Sequence, residues 1–321
     1  MKNETTLIGK NVIELQIKAL KKLKNQINNT FNDAVKTILK CKSKIIICGV
    51  GKSGIIASKI SATLASVGTP SFTVSANDCS HGDLGRIEKN DVLILISNSG
   101  NTIELKNIIK YAKLNKIILI GIVSNKNSLL YKSSNIKLFI PEVEESGDGI
   151  VPTSSTTTQL SIGDALAIAV MMKKKFSKLD FKKFHPSGAL ADKLKTASDL
   201  MLTKRKIPFI NEDETMKAAL KIINLKRLGF VVVTNMQGLT KGIFTDGDLK
   251  RIMQKKNKID NLKIRSLMIK NPFSVEKNTL ASEVLSLMNK KKITNVCVHS
   301  KENTQKTIGV LHIHDLLNNL R

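Results

Sequence analysis

Residues 91–104 contain an apolar run that ends in a hydroxyl-rich turn and is followed by a carboxylate. Ser97, Ser99 and Thr102 lie in the turn, and Glu104 comes two residues later. A turn between a buried strand and a helix aims backbone N–H groups, hydroxyls and the positive end of the helix dipole at one spot, which suits a phosphate. The stretch therefore predicts a sugar-phosphate site with Glu104 as its base. The alternative is an ordinary turn whose carboxylate complements a helix N-terminus.

A lysine occupies the middle of a glycine-rich turn after the first apolar strand, Lys44 to Val50. Residues 49–54 have the G-x-G-x-x-G spacing of dinucleotide-binding turns, with Lys52 and Ser53 inside it. The next predicted strand, residues 71–75, ends without the acidic residue that would hold an adenosine ribose. We therefore favour a turn in which the Lys52 ammonium binds a sugar-phosphate oxygen, with a solvated lysine as the alternative.

A second hydroxyl-rich helix start follows a loop with two adjacent carboxylates. Residues 141–152 have no periodicity and contain Glu144 and Glu145, either of which could serve as a second acid or base. Residues 154–158 are all serine or threonine and open a long apolar helix. Two such helix N-termini predict a single phosphate that is bound from two sides.

Two histidines also lie on turns. His81 stands between small polar residues and two glycines after a predicted strand, where it could bond a sugar hydroxyl, bind a metal or cap local structure; His185 lies on a later turn. Ligands of open α/β sheets bind at the carboxyl ends of the strands. The candidate substrate-binding residues are Ser53, Gly68, Thr69, His81, Ser97, Ser99, Thr102, Ser154 and Ser155.

These candidates require a scaffold of alternating strands and helices. The apolar runs that predict strands are residues 44–50, 71–75, 92–96 and 117–123, with a short one before Phe139. Their alternation with helical segments predicts a doubly wound parallel sheet whose carboxyl edge holds the ligand. Apolar spacing over residues 11–40 predicts one long amphipathic helix that packs on a neighbour, as in a subunit interface.

The last third of the chain repeats itself. Residues 242–249 (GIFTDGDL) recur as residues 309–316 (GVLHIHDL), and residues 199–201 recur as residues 266–268 at the same offset. Equal offsets indicate duplication of one α+β unit. The pair predicts either a structural dimerisation module or a nucleotide sensor with a cleft between two small sheets. The candidate ligand contacts are Thr245, Asp248 and Asp315.

Length and composition suit two or three compact units. Of 321 residues, 41% are apolar, and no apolar run approaches the roughly 20 residues that span a bilayer. The polar N-terminus lacks a signal-peptide core and the four cysteines lack CxxC pairing, so we expect a cytoplasmic protein without a disulfide framework. The predicted units are residues 1–196, 199–258 and 264–321.

The net charge of +26 raises the question of a nucleic-acid partner. The basic residues are overwhelmingly lysine, spread beside frequent isoleucine and asparagine, and the chain has no Trp and two Tyr. Specific nucleic-acid recognition favours arginine and stacking aromatics. We therefore attribute the charge to AT-rich coding bias and expect neither a nucleic-acid nor a membrane partner; a polyanion partner is the alternative.

Six short motifs, in this order along the chain, resemble those of the D-arabinose 5-phosphate isomerase family. They are GKSG at 51–54, HGDLG at 81–85, SNSGNTIE at 97–104, PTSSTT at 152–157, GDALA at 163–167 and HPSGAL at 185–190. The resemblance covers essentially the whole chain, because the repeat is similar to paired cystathionine-β-synthase-type modules. It implies an α/β sugar-isomerase (SIS) domain followed by a tandem pair of small α+β modules.

The resemblance implies an aldose-ketose isomerase that interconverts D-ribulose 5-phosphate and D-arabinose 5-phosphate and so supplies Kdo for lipopolysaccharide. It also implies a homotetramer with sites shared between subunits, and no organic cofactor. The positions of the family's functional residues fall on Lys52, Glu104, Glu144 and His185.

The chain departs from the family at three places. Residues 144–152 read EESGDGIVP, so Glu144 and Glu145 remain alternatives for the second functional glutamate. Ser75 stands where relatives carry a residue sometimes associated with zinc, and Ser187 replaces a glycine. We expect no bound metal.

Isomerisation moves a proton between C1 and C2 through an enediolate, so it requires a base near both carbons and a group that stabilises the oxyanion. We assign proton transfer to Glu104 or Glu144, oxyanion or phosphate stabilisation to Lys52, and ring opening or proton relay to His185. The alternatives are a sugar-phosphate-sensing regulator, a dinucleotide-dependent enzyme, and an isomerase of another sugar or aminosugar phosphate.

Overall fold

The computed structural model describes residues 2–185, 187, 194–254 and 259–320. The chain divides into two compact units, Met1–Phe184 and His185–Arg321. Among the described helices, none combines the length and the apolar character that crossing a bilayer requires.

A parallel sheet forms the centre of the first unit. Its strands are β1 (Ile45–Gly49), β2 (Ser71–Thr73), β3 (Val92–Ile96), β4 (Ile118–Val123) and β5 (Ile136–Phe139). They lie in the order β2-β1-β3-β4-β5, and all neighbours are parallel. This arrangement confirms the predicted doubly wound α/β sheet.

Helices cover both faces of this sheet. In chain order they are α1 (Lys2–Gln26), α2 (Asn29–Lys40), α3 (Lys52–Ser66), α4 (Ala76–Cys79), α5 (Lys106–Leu114), α6 (Leu129–Ser133), α7 (Ser154–Lys173) and α8 (Lys178–Phe184). Side chains alternate between the faces along each strand. Ile45 and Ile47 join one hydrophobic cluster, and Ile46 and Cys48 join the other. Burial on both faces explains why the strands are continuously apolar.

Residues 11–40 do not form the one continuous helix that their periodicity predicts. α1 ends at Gln26 and α2 begins at Asn29. Between them Asn28 has an extended backbone, and its side chain accepts a hydrogen bond from the Thr30 N–H over 2.9 Å. An asparagine that caps a new helix interrupts the preceding one. The prediction was wrong because apolar spacing continues across the break.

α7 runs antiparallel to the strands and lies beside α3. Near the start of both helices, Ser53 Oγ donates a hydrogen bond to Gln159 Oε1 over 3.0 Å. Near the middle, a Cβ on Gly163 would lie 2.2 Å from Ile60 Cδ1, so the helices approach closely. The first two turns of α7 therefore lie beside the start of α3 at the carboxyl edge of the sheet.

The second unit contains two small sheets with helices. Its strands are β6 (Leu202–Thr203), β7 (Phe209–Asn211), β8 (Phe230–Thr234), β9 (Thr240–Thr245), β10 (Ile269–Lys270), β11 (Ser274–Glu276), β12 (Asn295–His299) and β13 (Thr307–His312). Its helices are α9 (Ala197–Leu200), α10 (Met216–Lys226), α11 (Asp246–Met253), α12 (Ala281–Lys291) and α13 (Ile313–Asn319). The sheet orders are β10-β9-β8-β7 and β11-β12-β13-β6. The predicted tandem α+β modules are confirmed.

The two copies of the repeat exchange short strands. β6, from the first copy, pairs with β13, and β10, from the second copy, pairs with β9. Thr240 Oγ1 and Thr307 Oγ1, at equivalent positions of the copies, lie 2.7 Å apart where the copies meet. Each sheet is completed by a strand of the other copy, so the copies form one cooperative unit.

Candidate active site

The strand order creates a crevice between the carboxyl ends of β1 and β3. The chain leaves β1 toward β2 on one side and returns through β3 on the other, and ligands of such sheets bind where the strand order reverses. Gly49 pairs with Ile96 at the last position of the two strands. Lys52 follows β1, and Ser97 follows β3. The lysine turn and the hydroxyl turn therefore flank the same crevice.

The hydroxyl turn after β3 is held by its own groups. Ser97 Oγ lies 2.7 Å from Thr102 Oγ1 and accepts a hydrogen bond from the Gly100 N–H over 2.9 Å. Gly100 has a φ of +69°, and a Cβ at this position would lie 2.2 Å from Ser128 Oγ. Ser99 is exposed at the tip. Because the turn is already ordered, a phosphate that binds it loses little free energy to ordering the protein.

Glu104 and His81 lie on neighbouring loops at this edge. Glu104 is exposed in a short 3-10 turn, Ile103–Leu105, directly before α5. Asn107 Nδ2, on α5, donates a hydrogen bond to Ser80 Oγ in the loop after β2 over 3.3 Å. His81 is the next residue and is exposed. The loops after β1, β2 and β3 thus all contribute sequence candidates to one edge.

Sequence reasoning missed Gln159, which connects α7 to this edge. Gln159 is 1% exposed and accepts the Ser53 hydroxyl described above. The Ser53 hydroxyl therefore holds two helix starts together. The available signal was a polar residue among the buried positions of an apolar helix, since a buried amide requires a partner.

The start of α7 is already occupied by a carboxylate of the chain itself. Glu145 Oε2 accepts hydrogen bonds from the backbone N–H groups of Thr153, over 2.7 Å, and Ser154, over 2.8 Å. Glu145 Oε1 accepts a further one from the Ser155 N–H over 3.2 Å. Ser154 and Ser155 are 0% and 2% exposed. Their backbone N–H groups hold Glu145, whereas the buried Ser154 Oγ has no hydrogen-bond partner among the described residues, so their assignment to phosphate binding stays a prediction.

The two adjacent glutamates therefore differ in environment. Burial raises the pKa of Glu145, but the Ser155 side chain and the backbone N–H groups outweigh burial and leave that pKa below its usual value. Glu145 is thus a fixed carboxylate that caps a helix. Glu144 is exposed in the preceding loop and remains the candidate for proton transfer.

Gly68 and Thr69 lie away from the crevice. They precede β2 and so lie at the amino edge of the sheet, opposite the other candidates. Lys174 Nζ donates hydrogen bonds to the Gly68 carbonyl over 3.0 Å and to Thr69 Oγ1 over 2.9 Å, and Thr69 is 3% exposed. Within one chain both residues anchor the far end of α7, and their assignment as substrate contacts stays a prediction.

Two further positions from the sequence analysis are His185, a candidate, and Ser75, where the chain departs from the family. His185 is the first residue of the second unit, and residues 186 and 188–190 of its motif lie outside the described residues, so its role stays a prediction. Ser75 caps α4 by accepting a hydrogen bond from the Asp78 N–H over 3.4 Å. Within the ranges that the structure describes, no three His, Cys, Asp or Glu side chains cluster as a metal site.

The second unit contains a cleft of about 490 Å³ between the two copies of the repeat. Its walls combine aliphatic and aromatic side chains with an acid, two cations and amides. The lining residues include Thr245, Asp246, Arg251, Phe273, Lys292 and Asn295. Asn295 is 9% exposed, and its Oδ1 has no hydrogen-bond partner among the described residues.

Of the three predicted contacts in this unit, one lines the cleft. Thr245 does so, whereas Asp248 and Asp315 are absent from its lining. Asp248 is 5% exposed because its Oδ2 accepts hydrogen bonds from the Thr245 N–H over 3.0 Å and the Thr245 hydroxyl over 2.7 Å. These bonds form a capping box for α11. Asp246, two residues before Asp248, is the carboxylate that lines the cleft, and the assignment of Asp248 and Asp315 to a ligand stays a prediction.

Comparisons with known proteins match a different family in each of the two units. Residues 38–169 match the SIS domain family, and residues 197–255 and 264–321 each match the CBS domain family. The chain is 40% identical over 311 residues to the arabinose 5-phosphate isomerase KdsD of Yersinia pestis, covering 96% of this chain and 94% of the relative. The KdsD of Francisella tularensis is 40% identical over 308 residues, covering 94% and 93%.

Solved structures match the first unit. An Escherichia coli CFT073 protein in complex with arabinose 5-phosphate has a TM-score of 0.56 and 37% identity, covering 58% of this chain and 100% of that one. A Listeria monocytogenes protein, described as a sugar-phosphate isomerase by homology, has a TM-score of 0.55 and 29% identity, covering 58% and 99%.

Proposed function

The chain belongs to the family of arabinose 5-phosphate isomerases, and we propose that it interconverts D-ribulose 5-phosphate and D-arabinose 5-phosphate. One observation carries this proposal: Lys52 and the hydroxyl turn with Glu104 follow the paired ends of β1 and β3 at the point where the strand order reverses. A cation, a preformed phosphate cradle and an exposed carboxylate are the groups that an enediolate mechanism needs.

In this mechanism the turn from Ser97 to Thr102 holds the phosphate and thereby orients the open-chain sugar. A glutamate, Glu104 or Glu144, takes a proton from C1 of ribulose 5-phosphate, and negative charge moves to O2. Lys52 stabilises that oxyanion. The base returns the proton to C2 and a proton passes from O1 to O2, which leaves the aldehyde of arabinose 5-phosphate with a hydroxyl at C2. His185 assists ring closure or relays a proton.

Proton exchange at carbon tests this mechanism directly. The purified protein is incubated with ribulose 5-phosphate in deuterated water and followed by proton NMR. An arabinose 5-phosphate product with deuterium at C2 is expected, because the abstracted proton exchanges with solvent before it returns. Substrate that stays unchanged at high enzyme concentration contradicts the proposal.

The same proposal includes a cellular setting. The product supplies Kdo for lipopolysaccharide, and the enzyme acts in the cytoplasm as a homotetramer. Support for an oligomer comes from α1, where Leu7, Ile8 and Ile13 are 57%, 58% and 59% exposed. Apolar side chains repeated along one helix suit burial against another subunit.

A nucleotide in the cleft of the second unit is a second proposed ligand. Asp246 can accept hydrogen bonds from ribose hydroxyls, Arg251 and Lys292 can pair with phosphate, and Phe273 offers a face to a base. The buried Asn295 Oδ1 requires a donor, which an exocyclic amino group of a base supplies.

The repeat supports a single such site in each chain. The equivalents of Asp246, Arg251 and Asn295 in the other copy are Ile313, Asn318 and Phe230. None of these residues carries the carboxylate, the guanidinium or the amide that stands at its position in the cleft. We therefore expect one nucleotide per chain.

A further inference from the structure

Glu145 is a carboxylate that the proposed mechanism does not use. We propose that Glu145 is a positioning residue, which fixes the loop that carries Glu144 by clamping it to the first turn of α7. This inference rests on the proposed isomerase function, in which Glu144 is a candidate for proton transfer.

The clamp consists of charge-assisted hydrogen bonds at the base of the loop. Glu145 accepts three backbone N–H groups of the α7 start, at 2.7, 2.8 and 3.2 Å. The Thr153 hydroxyl adds a contact to Glu145 Oε2 at 3.3 Å. Hydrogen bonds to an ionised acceptor are stronger than neutral ones, and the positive end of the helix dipole adds to them. Residue 145 is thus tied to residues 153–155 across the loop.

The loop between these anchors has little order of its own. Gly147, Asp148 and Gly149 all have positive φ angles, and residues 147–151 are exposed. Closure comes from an isolated bridge between Ser146 and Val151 and from the Ser146 N–H, which donates to Thr153 Oγ1 over 3.2 Å. A glycine-rich segment loses much conformational entropy on ordering. The clamp at Glu145 supplies the free energy that offsets this loss.

Glu144 is affected because it is the adjacent residue. Exposure alternates over residues 142–145, as expected for extended chain in which successive side chains point to opposite sides. Glu145 faces α7, so Glu144 faces the solvent-accessible side. The start of α7 lies beside the start of α3, where Ser53 and Lys52 are located. Fixing Glu145 therefore fixes Glu144 near the crevice, and a displacement of about 1 Å is enough to cost a catalytic group roughly 10²-fold in rate.

Two substitutions test the clamp, with a matched control in the same loop. Glu145→Ala removes the carboxylate, whereas Glu145→Gln retains its size and one acceptor oxygen. Glu142→Gln removes an exposed carboxylate three residues earlier. We expect kcat to fall at least about tenfold in both Glu145 variants while KM changes less than about threefold, because the phosphate cradle is untouched. The Glu142 control should match the wild type.

A double-mutant cycle separates positioning from general structural damage. Glu144→Asp shortens the carboxylate and should retain measurable turnover. If Glu145 acts through Glu144, then Glu145→Gln lowers kcat by a smaller factor in the Glu144→Asp background than in the wild type. Three results would each overturn the inference. They are additive effects of the two substitutions on kcat, a rise in KM as large as the fall in kcat, and a folded Glu145 variant with wild-type kcat. Tyrosine fluorescence and circular dichroism verify folding.

The proposed function and this inference fail in distinguishable ways. Wild-type protein that does not convert ribulose 5-phosphate contradicts the function. Wild-type turnover that is unchanged by both Glu145 substitutions leaves the function standing and removes the positioning role. If Glu145→Ala does not fold, the Glu145→Gln variant and the cycle still decide the question.

Discussion

The Ser53 hydroxyl donates a hydrogen bond to the buried Gln159 amide over 3.0 Å, and this bond joins the first turn of α3 to the second turn of α7. Ser53→Ala leaves Gln159 Oε1 buried without a donor. We expect the free energy of unfolding to fall by about 1–3 kcal/mol. The chain has two tyrosines and no tryptophan, and Tyr111 and Tyr131 both lie in the first unit. Urea unfolding followed by tyrosine fluorescence therefore reports this unit.

Ser58→Ala is the control for this prediction. The Ser58 hydroxyl lies on the same helix, is exposed and donates only to the Gly54 carbonyl among the contacts described, over 3.1 Å. Its removal should change the free energy of unfolding by less than about 0.5 kcal/mol. Equal losses of unfolding free energy in both variants would contradict a stabilising role for the hydrogen bond to Gln159.

Gly100 is expected to tolerate no side chain. Its φ is +69°, and an added Cβ would lie 2.2 Å from Ser128 Oγ and 2.5 Å from Val123 Cγ2. Left-handed backbone costs an alanine about 1–2 kcal/mol and overpacking about 1–3 kcal/mol more. Gly100→Ala should therefore destabilise the first unit by about 2–5 kcal/mol and raise KM, because the phosphate cradle is distorted. Gly85→Ala, where a Cβ meets nothing within 4 Å, is the control; similar values for both variants would contradict the prediction.

Glu104→Gln should abolish isomerisation without unfolding the protein. The side chain is exposed, so its replacement by an isosteric amide leaves no buried group unpaired. Removal of a general base typically costs about 10²–10⁴-fold in kcat. The measurements are steady-state turnover and deuterium incorporation at C2, with Glu142→Gln as the matched exposed control. Full activity of the Glu104 variant would transfer the role of base to another residue.

The first unit should lose stability in acid partly through Asp91. This residue is 1% exposed; its Oδ2 accepts the Glu88 N–H over 2.7 Å and lies 3.2 Å from Lys44 Nζ. Burial alone would raise the pKa of Asp91, but hydrogen bonds from Glu88, Ser43 and Lys44 outweigh burial and lower the pKa below 3.8. A lowered folded-state pKa means that protonation favours the unfolded state. The stabilisation is complete above an unfolded pKa of about 3.9 and is lost as the pH falls toward the folded pKa.

The test is a series of urea titrations at about pH 7, 5, 4 and 3. We expect Asp91→Asn to be less stable than the wild type at neutral pH and to lose less stability on acidification. Asp33→Asn removes an exposed partner of Lys36 and should retain the wild-type pH profile. Parallel profiles for wild type and Asp91→Asn would refute the assignment.

Nucleotide binding to the second unit should depend on Asp246. Isothermal titration calorimetry of the full chain with AMP, ATP and CMP should give one bound nucleotide per chain. Asp246→Asn should weaken binding about tenfold or more, since hydrogen bonds to a charged acceptor contribute about 1.5–3 kcal/mol. Asp315→Asn, outside the cleft lining, is the matched control. Two bound nucleotides, or equal effects of both substitutions, would contradict the single-cleft proposal.

Several features of this protein follow from its sequence alone. The unbroken aliphatics of Val92 to Ile96 predicted a strand buried on both faces, and the turns after the first and third strands predicted that Lys52 and Ser97 lie at the same edge of the sheet. The equal offset of residues 199–201 and 242–249 from residues 266–268 and 309–316 predicted two equivalent modules. These inferences succeed because strand burial, turn chemistry and duplication depend on neighbours in the chain.

Other features were decided only by the tertiary structure. The hydroxyls at 154 and 155 look available in the sequence, yet Glu145 folds back onto their N–H groups, and Thr69 joins Lys174 more than a hundred residues later. Likewise, β6 completes the sheet of the other copy. Hydrogen bonds and strand pairs of this kind connect residues that are distant in the chain, and a local pattern carries no information about which of several acceptors a donor will reach. The sequence therefore determined which groups are present at each edge, and the tertiary fold determined which partners those groups reach.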